Sequence, residues 1–171
     1  IYLPPFKETQ RDKLAYAKSF KIQYENTDPY SSKPLIEQYD DTYVVQNLSN
    51  LPSEREYLDW VYSLDHERTY HPMYKLGVPA IKEVKYSISM NRGCMGSCSF
   101  CALTFHQGRI IQSRSKESIV NEAMKLTKLP DFKGYIHDIG GPTANFYNKA
   151  CDKQEKFGAC RNRKCLFPEK C

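Results

Sequence analysis

The hydrophobic positions in the first part of the chain follow a helical spacing. Leucine and alanine at positions 14, 15 and 17 lie among Lys and Arg residues, a pattern that predicts an amphipathic helix over 9–20. Ser53 and Glu56 have the spacing of a capping box, in which each side chain satisfies a backbone N–H at the start of a helix. An apolar stripe follows this pair, so we predict a second helix at about 54–65.

The segments around these two helices are rich in turn-forming residues. Two prolines and several Asn, Asp and Ser residues predict a loop over 25–42, followed by a short strand from Tyr43 to Gln46. Prolines and a glycine give the segment 66–79 loop character again. The sequence therefore predicts an irregular, α-rich N-terminal segment over 1–81 that ends in a linker.

Beyond this linker the hydrophobic spacing changes to two. Apolar and polar residues alternate over 84–90, which predicts a strand with one buried face. Ser115 is placed to cap a helix whose apolar positions run from Ile119 to Leu126. A second strand is predicted over 134–139. Because a strand, a helix and a strand in this order form a βαβ unit, we expect the two strands to be parallel and the connection to be right-handed.

The composition is that of an ordered protein. The 171 residues are 40% hydrophobic and include 13 Tyr and 8 Phe, which excludes a disordered chain. Because the sequence contains no run of 18 apolar residues and no secretory leader pattern, it predicts a cytoplasmic protein without a membrane span. The chain begins at Ile1 and ends at Cys171, within a group of cysteines, and we interpret it as a piece of a longer protein.

The seven cysteines are more typical of metal ligands or reactive thiols than of disulfides, because cytosolic thiols are kept reduced and an odd number cannot pair fully. Cys94, Cys98 and Cys101 have C-x3-C-x2-C spacing on a loop where Gly93 and Gly96 permit positive φ. Three thiolates this close can hold a 4Fe–4S cluster and leave its fourth iron open to another ligand. A structural zinc site and buried thiols are the alternatives.

A second group of cysteines lies near the C-terminus, where little apolar sequence is available for a core: Cys151, Cys160, Cys165 and Cys171. A metal that ties this segment together is therefore expected. Because the spacing lacks C-x2-C pairs, structural zinc, a second iron–sulfur cluster and unligated thiols all stay open. Residues 149–171 carry seven Lys and Arg against three Asp and Glu, which favours anionic ligands, nucleic acid among them.

The cysteine loop also has an aromatic residue just before its third cysteine, and in this it resembles the radical S-adenosylmethionine (radical SAM) superfamily. More narrowly, the chain resembles the YgiQ-type family of that superfamily. Six segments carry this resemblance: QYENTDP at 23–29, HP at 71–72, NRGC at 91–94, TFHQGR at 104–109, QSRSKESI at 112–119 and GYIHDIGGPTAN at 134–145. The resemblance therefore extends over nearly the whole chain.

The resemblance implies a specific cofactor chemistry. In the superfamily three cysteines, here Cys94, Cys98 and Cys101, hold a 4Fe–4S cluster, and S-adenosylmethionine chelates the fourth iron. An electron, from a donor such as flavodoxin or ferredoxin, then cleaves the sulfonium to a 5′-deoxyadenosyl radical that abstracts hydrogen from a substrate. These implications make the chain part of an enzyme whose substrate the sequence does not identify.

Further cofactor-binding residues follow from the same resemblance. Phe100 occupies the position whose surroundings contact adenine, and Gly140 and Gly141 occupy the strand end that meets the methionine amino group. Pro142 stands where the superfamily usually has an acidic residue, which favours backbone carbonyls as acceptors. Arg109 and Arg114 are candidates for binding the cofactor's carboxylate, because the guanidinium group pairs with carboxylates in a bidentate manner.

The predicted fold class is α/β, with one βαβ unit as the beginning of a partial (β/α) barrel. The predicted domains are the α-rich segment and linker at 1–81, the start of the barrel with its cluster loop at 82–150, and a Cys-rich metal-binding tail at 151–171. A complete barrel needs about 250 residues, so we expect the isolated chain to be inactive even where it binds the cluster. The alternative function is a non-catalytic, metal-stabilised module that binds RNA.

Overall fold

The computed structural model describes residues 1–141, 144–161, 164–166 and 169–171. The chain divides into two compact units. The first unit contains Ile1–Pro52, Met95–Ile110 and Ala150–Cys171, and the second contains Ser53–Cys94 and Ile111–Lys149. The domain boundaries suggested by the sequence, after residues 81 and 150, stay predictions.

Helices and short strands are interspersed along the chain. In chain order they are α1 (Phe6–Thr9), α2 (Lys13–Glu25), β1 (Leu35–Tyr39), β2 (Thr42–Gln46), α3 (Arg55–Ser63), α4 (Ile81–Val84), β3 (Ser87–Ser89), β4 (Asn91–Arg92), α5 (Leu103–Gln107), β5 (Gln112–Ser113), α6 (Lys116–Leu126), β6 (Asp138–Gly140) and α7 (Asp152–Phe157). In the described part of the chain, no helix is long and apolar enough to cross a membrane.

The first unit contains a helix and a β-hairpin near the N-terminus. Helix α2 begins later than predicted because the Asp12 side chain caps it, accepting a hydrogen bond from the backbone N–H of Leu14 at 2.8 Å. Strands β1 and β2 are antiparallel, and their turn includes Asp40 with φ 50°. The prediction of β2 is confirmed, but the prediction of a loop over 25–42 is wrong where β1 forms.

In the second unit, α3 confirms the predicted helix but not its capping box. The N-cap residue is Glu54, and no side chain caps the helix. The backbone N–H of Ser53 instead donates to Oε1 of Gln112 in β5 at 2.7 Å. In the predicted capping box, this N–H would have donated to the Glu56 side chain. Leu58 is the buried residue of this helix.

The parallel strand pair predicted for the second unit is confirmed. Strand β3 pairs with β6 in parallel, and the buried Ile88 lies opposite Ile139. Strand β3 is shorter than predicted because residues 81–84 form α4. A partial (β/α) barrel would contain such a parallel pair, and the barrel itself stays a prediction.

Helix α6 connects the two parallel strands and begins where the sequence predicts. The side-chain oxygen of Ser115 accepts from the backbone N–H of Ser118 at 3.0 Å, which caps the first turn. The buried face differs from the apolar pattern: Leu126 and the charged Glu122 are buried, whereas Val120 and Met124 are exposed. A buried carboxylate in a helix needs a partner, and this one has two arginines.

Candidate functional site

The cysteine loop begins directly after β4. Cys94 is buried and belongs to the second unit, whereas Cys98 is exposed, Cys101 is half-buried, and both belong to the first unit. The backbone N–H of Cys101 donates to the carbonyl oxygen of Cys98 at 3.1 Å, which makes a tight turn between these two thiols. Gly93 has the predicted positive φ, 84°, but the prediction is wrong for Gly96, and Ser97 takes the left-handed conformation instead, with φ 49°.

The donor set of this loop has the chemistry of an iron–sulfur ligand set. All seven cysteines lie in the described residues, and each keeps its thiol rather than forming a disulfide. Three thiols within one short loop suit a cluster, which thiolates ordinarily hold. Among the residues that the structure describes, no three His, Cys, Asp or Glu side chains are gathered closely enough to hold a metal ion. The ligand role of Cys94, Cys98 and Cys101 therefore stays a prediction.

The predicted glycine turn lies at the end of β6, in the second unit. The carbonyl oxygen of Gly140 accepts from the backbone N–H of Met90 at 2.8 Å, so this acceptor already has one partner. The backbone N–H of Gly141 points at Oδ1 of Asn145, 3.4 Å away. Pro142, which stands in place of the expected acidic residue, lies outside the described residues.

Gly141 lies against the side chain of Asn91, a residue outside the predicted site. A Cβ at position 141 would lie 2.7 Å from Oδ1 and 3.1 Å from Nδ2 of Asn91, so the close approach requires glycine. Asn91 is 2% exposed, and neither its Oδ1 nor its Nδ2 has a hydrogen-bond partner among the described residues. No periodicity or spacing in the sequence indicates this contact, because Asn91 and Gly141 are far apart in the chain.

Arg114 has a structural role in the second unit. The side chain is 1% exposed, and its guanidinium group lies 4.1 Å from the centre of the Tyr62 ring. Nη1 donates to the Ser89 carbonyl oxygen at 2.9 Å and to the Glu122 carboxylate. Nε and Nη2 donate to the Ser118 hydroxyl, and Nη2 also donates to the Ser118 carbonyl oxygen. These bonds use the five N–H groups of the side chain. Binding a cofactor carboxylate would require Arg114 to leave these partners.

The second arginine candidate, Arg109, is half-buried and lies among the C-terminal cysteines of the first unit. Its Nη1 donates to the carbonyl oxygen of Cys160 at 2.8 Å. Burial raises the pKa of the Cys165 thiol, the charge and hydrogen bond of Arg109 oppose that rise, and the neighbouring Cys151 and Cys160 add to it. The backbone N–H of Cys171 donates to the Cys165 carbonyl oxygen at 2.9 Å. The fold therefore brings the tail cysteines near one another and near Arg109.

The tail is also attached to the N-terminal part of the first unit. The Asp28 carboxylate accepts from the backbone N–H of Ala159 at 2.8 Å, and Arg161 donates to the Ser31 carbonyl oxygen at 2.9 Å.

Phe100, the predicted adenine contact, is 90% exposed. Its ring is thus accessible to a ligand, and its assigned contact stays a prediction.

Comparison with known proteins agrees with the sequence motifs. A UPF0313 protein of Clostridium botulinum (strain Okra / Type B1) is 55% identical over 173 residues, covering 100% of this chain and 27% of that protein. A UPF0313 protein of Clostridium perfringens (strain ATCC 13124) is also 55% identical, covering 100% of this chain and 26% of that protein. The chain thus spans about a quarter of the length of these curated relatives. No solved structure matches it.

The family comparison covers the N-terminal half of the chain. The model of the radical SAM N-terminal family matches residues 1–87. The match confirms the family resemblance that the sequence motifs indicate, and this chain belongs to the radical SAM N-terminal family.

Proposed function

We propose that this chain carries the cluster loop of a radical SAM enzyme, with Cys94, Cys98 and Cys101 as the thiolate ligands of a 4Fe–4S cluster. The observation that carries this proposal is the C-x3-C-x2-C loop directly after β4 in a chain of this family. When bound, the reduced cluster and S-adenosylmethionine supply reductive cleavage of the sulfonium, which gives a 5′-deoxyadenosyl radical for hydrogen abstraction from a substrate.

The residues of this chain shape and present the loop. The left-handed conformations at Gly93 and Ser97 turn the backbone on both sides of Cys94, so that successive thiols need not point along an extended chain. The exposed Phe100 offers a ring face for the adenine of the cofactor. The turn at Gly140 and Gly141 offers backbone groups for its amino acid portion. A small electron-transfer protein, of the flavodoxin or ferredoxin class, is the proposed reductant.

Single substitutions test the ligand assignment. The intact protein is reconstituted anaerobically with iron and sulfide, and bound iron is measured for Cys94→Ala, Cys98→Ala and Cys101→Ala. Each variant should lose nearly all of its cluster absorption, because a cubane held by two protein thiolates is not retained. Ser99→Ala, an exposed position in the same loop, is the matched control and should keep the cluster. Retention of the cluster in any one of the three cysteine variants would remove that residue from the ligand set.

We also propose a metal in the C-terminal tail, held by thiols from Cys151, Cys160, Cys165 and Cys171. Arg109 donates to the Cys160 carbonyl oxygen and interacts with the Cys165 thiol, and the Cys171 N–H donates to the Cys165 carbonyl oxygen. These contacts support the proposal because they link three of the four cysteines. Metal analysis of a Cys94→Ala, Cys98→Ala and Cys101→Ala triple variant separates the two sites. Residual zinc identifies a structural site, residual iron with sulfide a second cluster, and a metal-free triple variant would contradict the proposal.

A further inference from the structure

The side chain of Asn91 is a buried polar group without a hydrogen-bond partner among the described residues. The residue is 2% exposed. Both Oδ1 and Nδ2 lack a hydrogen-bond partner among the described residues. Buried side-chain amides in folded proteins almost always have partners, since an unpaired amide loses its hydration without compensation. An orphaned donor and acceptor on one side chain, beside a glycine turn, therefore point to an external partner.

The backbone around Asn91 is held on both sides. The Met90 N–H donates to the Gly140 carbonyl oxygen at 2.8 Å, and the Met90 carbonyl oxygen accepts from the Arg114 N–H at 3.0 Å. Asn91 itself pairs with Ser113 in the β4–β5 ladder. Because these bonds fix the start of β4, the amide is positioned against the glycine turn before any ligand binds. Such preorganisation reduces the entropy lost on binding.

The carboxamide group matches one particular chemical class. It offers an acceptor oxygen and an N–H donor side by side, which suits the ammonium and carboxylate groups that an α-amino acid carries on one carbon. An arginine would serve only the carboxylate, and an aspartate only the ammonium. Both hydrogen bonds would involve a charged partner, which makes them stronger than neutral ones.

We propose that Asn91 binds the amino acid portion of S-adenosylmethionine beside the Gly140 and Gly141 turn. This inference rests on the proposed function, and it assigns a cofactor-binding role to a residue outside the cysteine motif. It also explains why position 141 has no side chain: a Cβ there would lie 2.7 Å from Oδ1 of Asn91 and would displace the amide.

Equilibrium dialysis of the intact, cluster-loaded protein with two probes tests the role of Asn91. S-adenosylmethionine contains the amino acid portion, whereas 5′-methylthioadenosine retains the adenosine and lacks that portion. Asn91→Ala should weaken binding of S-adenosylmethionine by about tenfold to a hundredfold, as expected for lost charge-assisted hydrogen bonds. Its affinity for 5′-methylthioadenosine should stay within about twofold of the parent protein.

Asn26 provides a matched control for the loss of a buried asparagine. Its Nδ2 donates to the Ile22 carbonyl oxygen at 2.8 Å, and its Oδ1 accepts from the Lys33 N–H at 3.2 Å. Asn26→Ala should therefore lower the melting temperature of the cofactor-free protein more than Asn91→Ala does, and it should leave the affinity for S-adenosylmethionine unchanged.

The outcomes separate this inference from the function on which it rests. If the parent protein binds S-adenosylmethionine and Asn91→Ala binds it equally well, the amide has another partner, such as an ordered water, and the inference is wrong. Equal weakening of both probes would show a structural role and would also overturn it. If the cluster-loaded parent protein does not bind S-adenosylmethionine, the proposed function itself fails. Asn91→Asp keeps the shape of the side chain but repels a carboxylate. It should therefore also weaken the binding of S-adenosylmethionine and leave the binding of 5′-methylthioadenosine unchanged.

Discussion

Replacement of Glu122 by glutamine should destabilise the second unit strongly. Glu122 is 5% exposed, and its carboxylate pairs with the guanidinium groups of both Arg114 and Arg68. Glutamine has nearly the same shape but no charge, so Glu122→Gln leaves two arginines without a counter-charge, one of them only 1% exposed. The amide NH2 group would also face a guanidinium N–H, which places two donors against each other.

The size of the effect follows from the burial of this pair. Removal of one partner from a buried ion pair costs about 3–5 kcal/mol, and we expect the lower end because glutamine keeps one acceptor oxygen. A loss of about 3 kcal/mol corresponds to about a hundredfold increase in the opening equilibrium of α6. This is a large part of the stability of an ordinary domain, which is about 5–15 kcal/mol.

Native-state hydrogen exchange, read by mass spectrometry on peptides covering α6, measures this opening directly. The Thr127 N–H, bonded to the Ala123 carbonyl oxygen at 3.1 Å, reports on the last turn of the helix. Glu117→Gln, an exposed position in the first turn of the same helix, is the control and should change exchange by less than about fivefold. An increase below about tenfold in Glu122→Gln would show that the buried ion pair does not hold α6 in place.

Two further predictions concern one aspartate and one glycine. Burial alone would raise the pKa of Asp59, but hydrogen bonds from Ser115 outweigh it and hold that pKa below the ordinary 3.8. The stability that this depressed pKa contributes is present above about pH 4 and is lost as the pH falls through it. On acidification, the near-ultraviolet circular dichroism signal should therefore fall less in Asp59→Asn than in the parent protein. An acid response that is the same in both proteins would contradict this. Gly158 has φ 78°, and a Cβ there would overlap the Asp28 carboxylate, so Gly158→Ala should lose more than about 1 kcal/mol in urea unfolding. Gly108→Ala has the same φ and open space around its Cβ, and equal losses in the two variants would show that strain alone acts.

The elements that the sequence predicts best are those whose signals are local. Helix α6 begins at Ser115 because its own hydroxyl caps the first turn, which the sequence shows directly. Strand β1 is missed although its hairpin with β2 is local, because the prolines and turn-forming residues before it outweigh its own apolar residues in the prediction. The capping box at Ser53 fails for a different reason, since the N–H of this residue bonds to Gln112. That bond joins two segments far apart in the chain, and no local pattern records it.

In the candidate site, too, local sequence signals identify some residues, and others are recognised only from the fold. The cysteine spacing identifies the proposed cluster ligands, since the three residues are close in the sequence itself. Arg114 looks like a ligand-binding residue until its partners Ser89 and Glu122 are known, which only the fold supplies. Asn91 shows the converse, because its significance depends on its contact with Gly141 at the end of another strand.

Electron paramagnetic resonance of the anaerobically reconstituted, dithionite-reduced protein shows whether Cys94, Cys98 and Cys101 hold a cluster with an open iron. We expect a brown protein whose reduced-cluster spectrum changes when S-adenosylmethionine is added, because the cofactor binds the iron that these three cysteines leave open. A colourless protein that takes up zinc instead of iron and sulfide would refute the ligand assignment. An iron–sulfur spectrum that S-adenosylmethionine does not alter would refute the open iron.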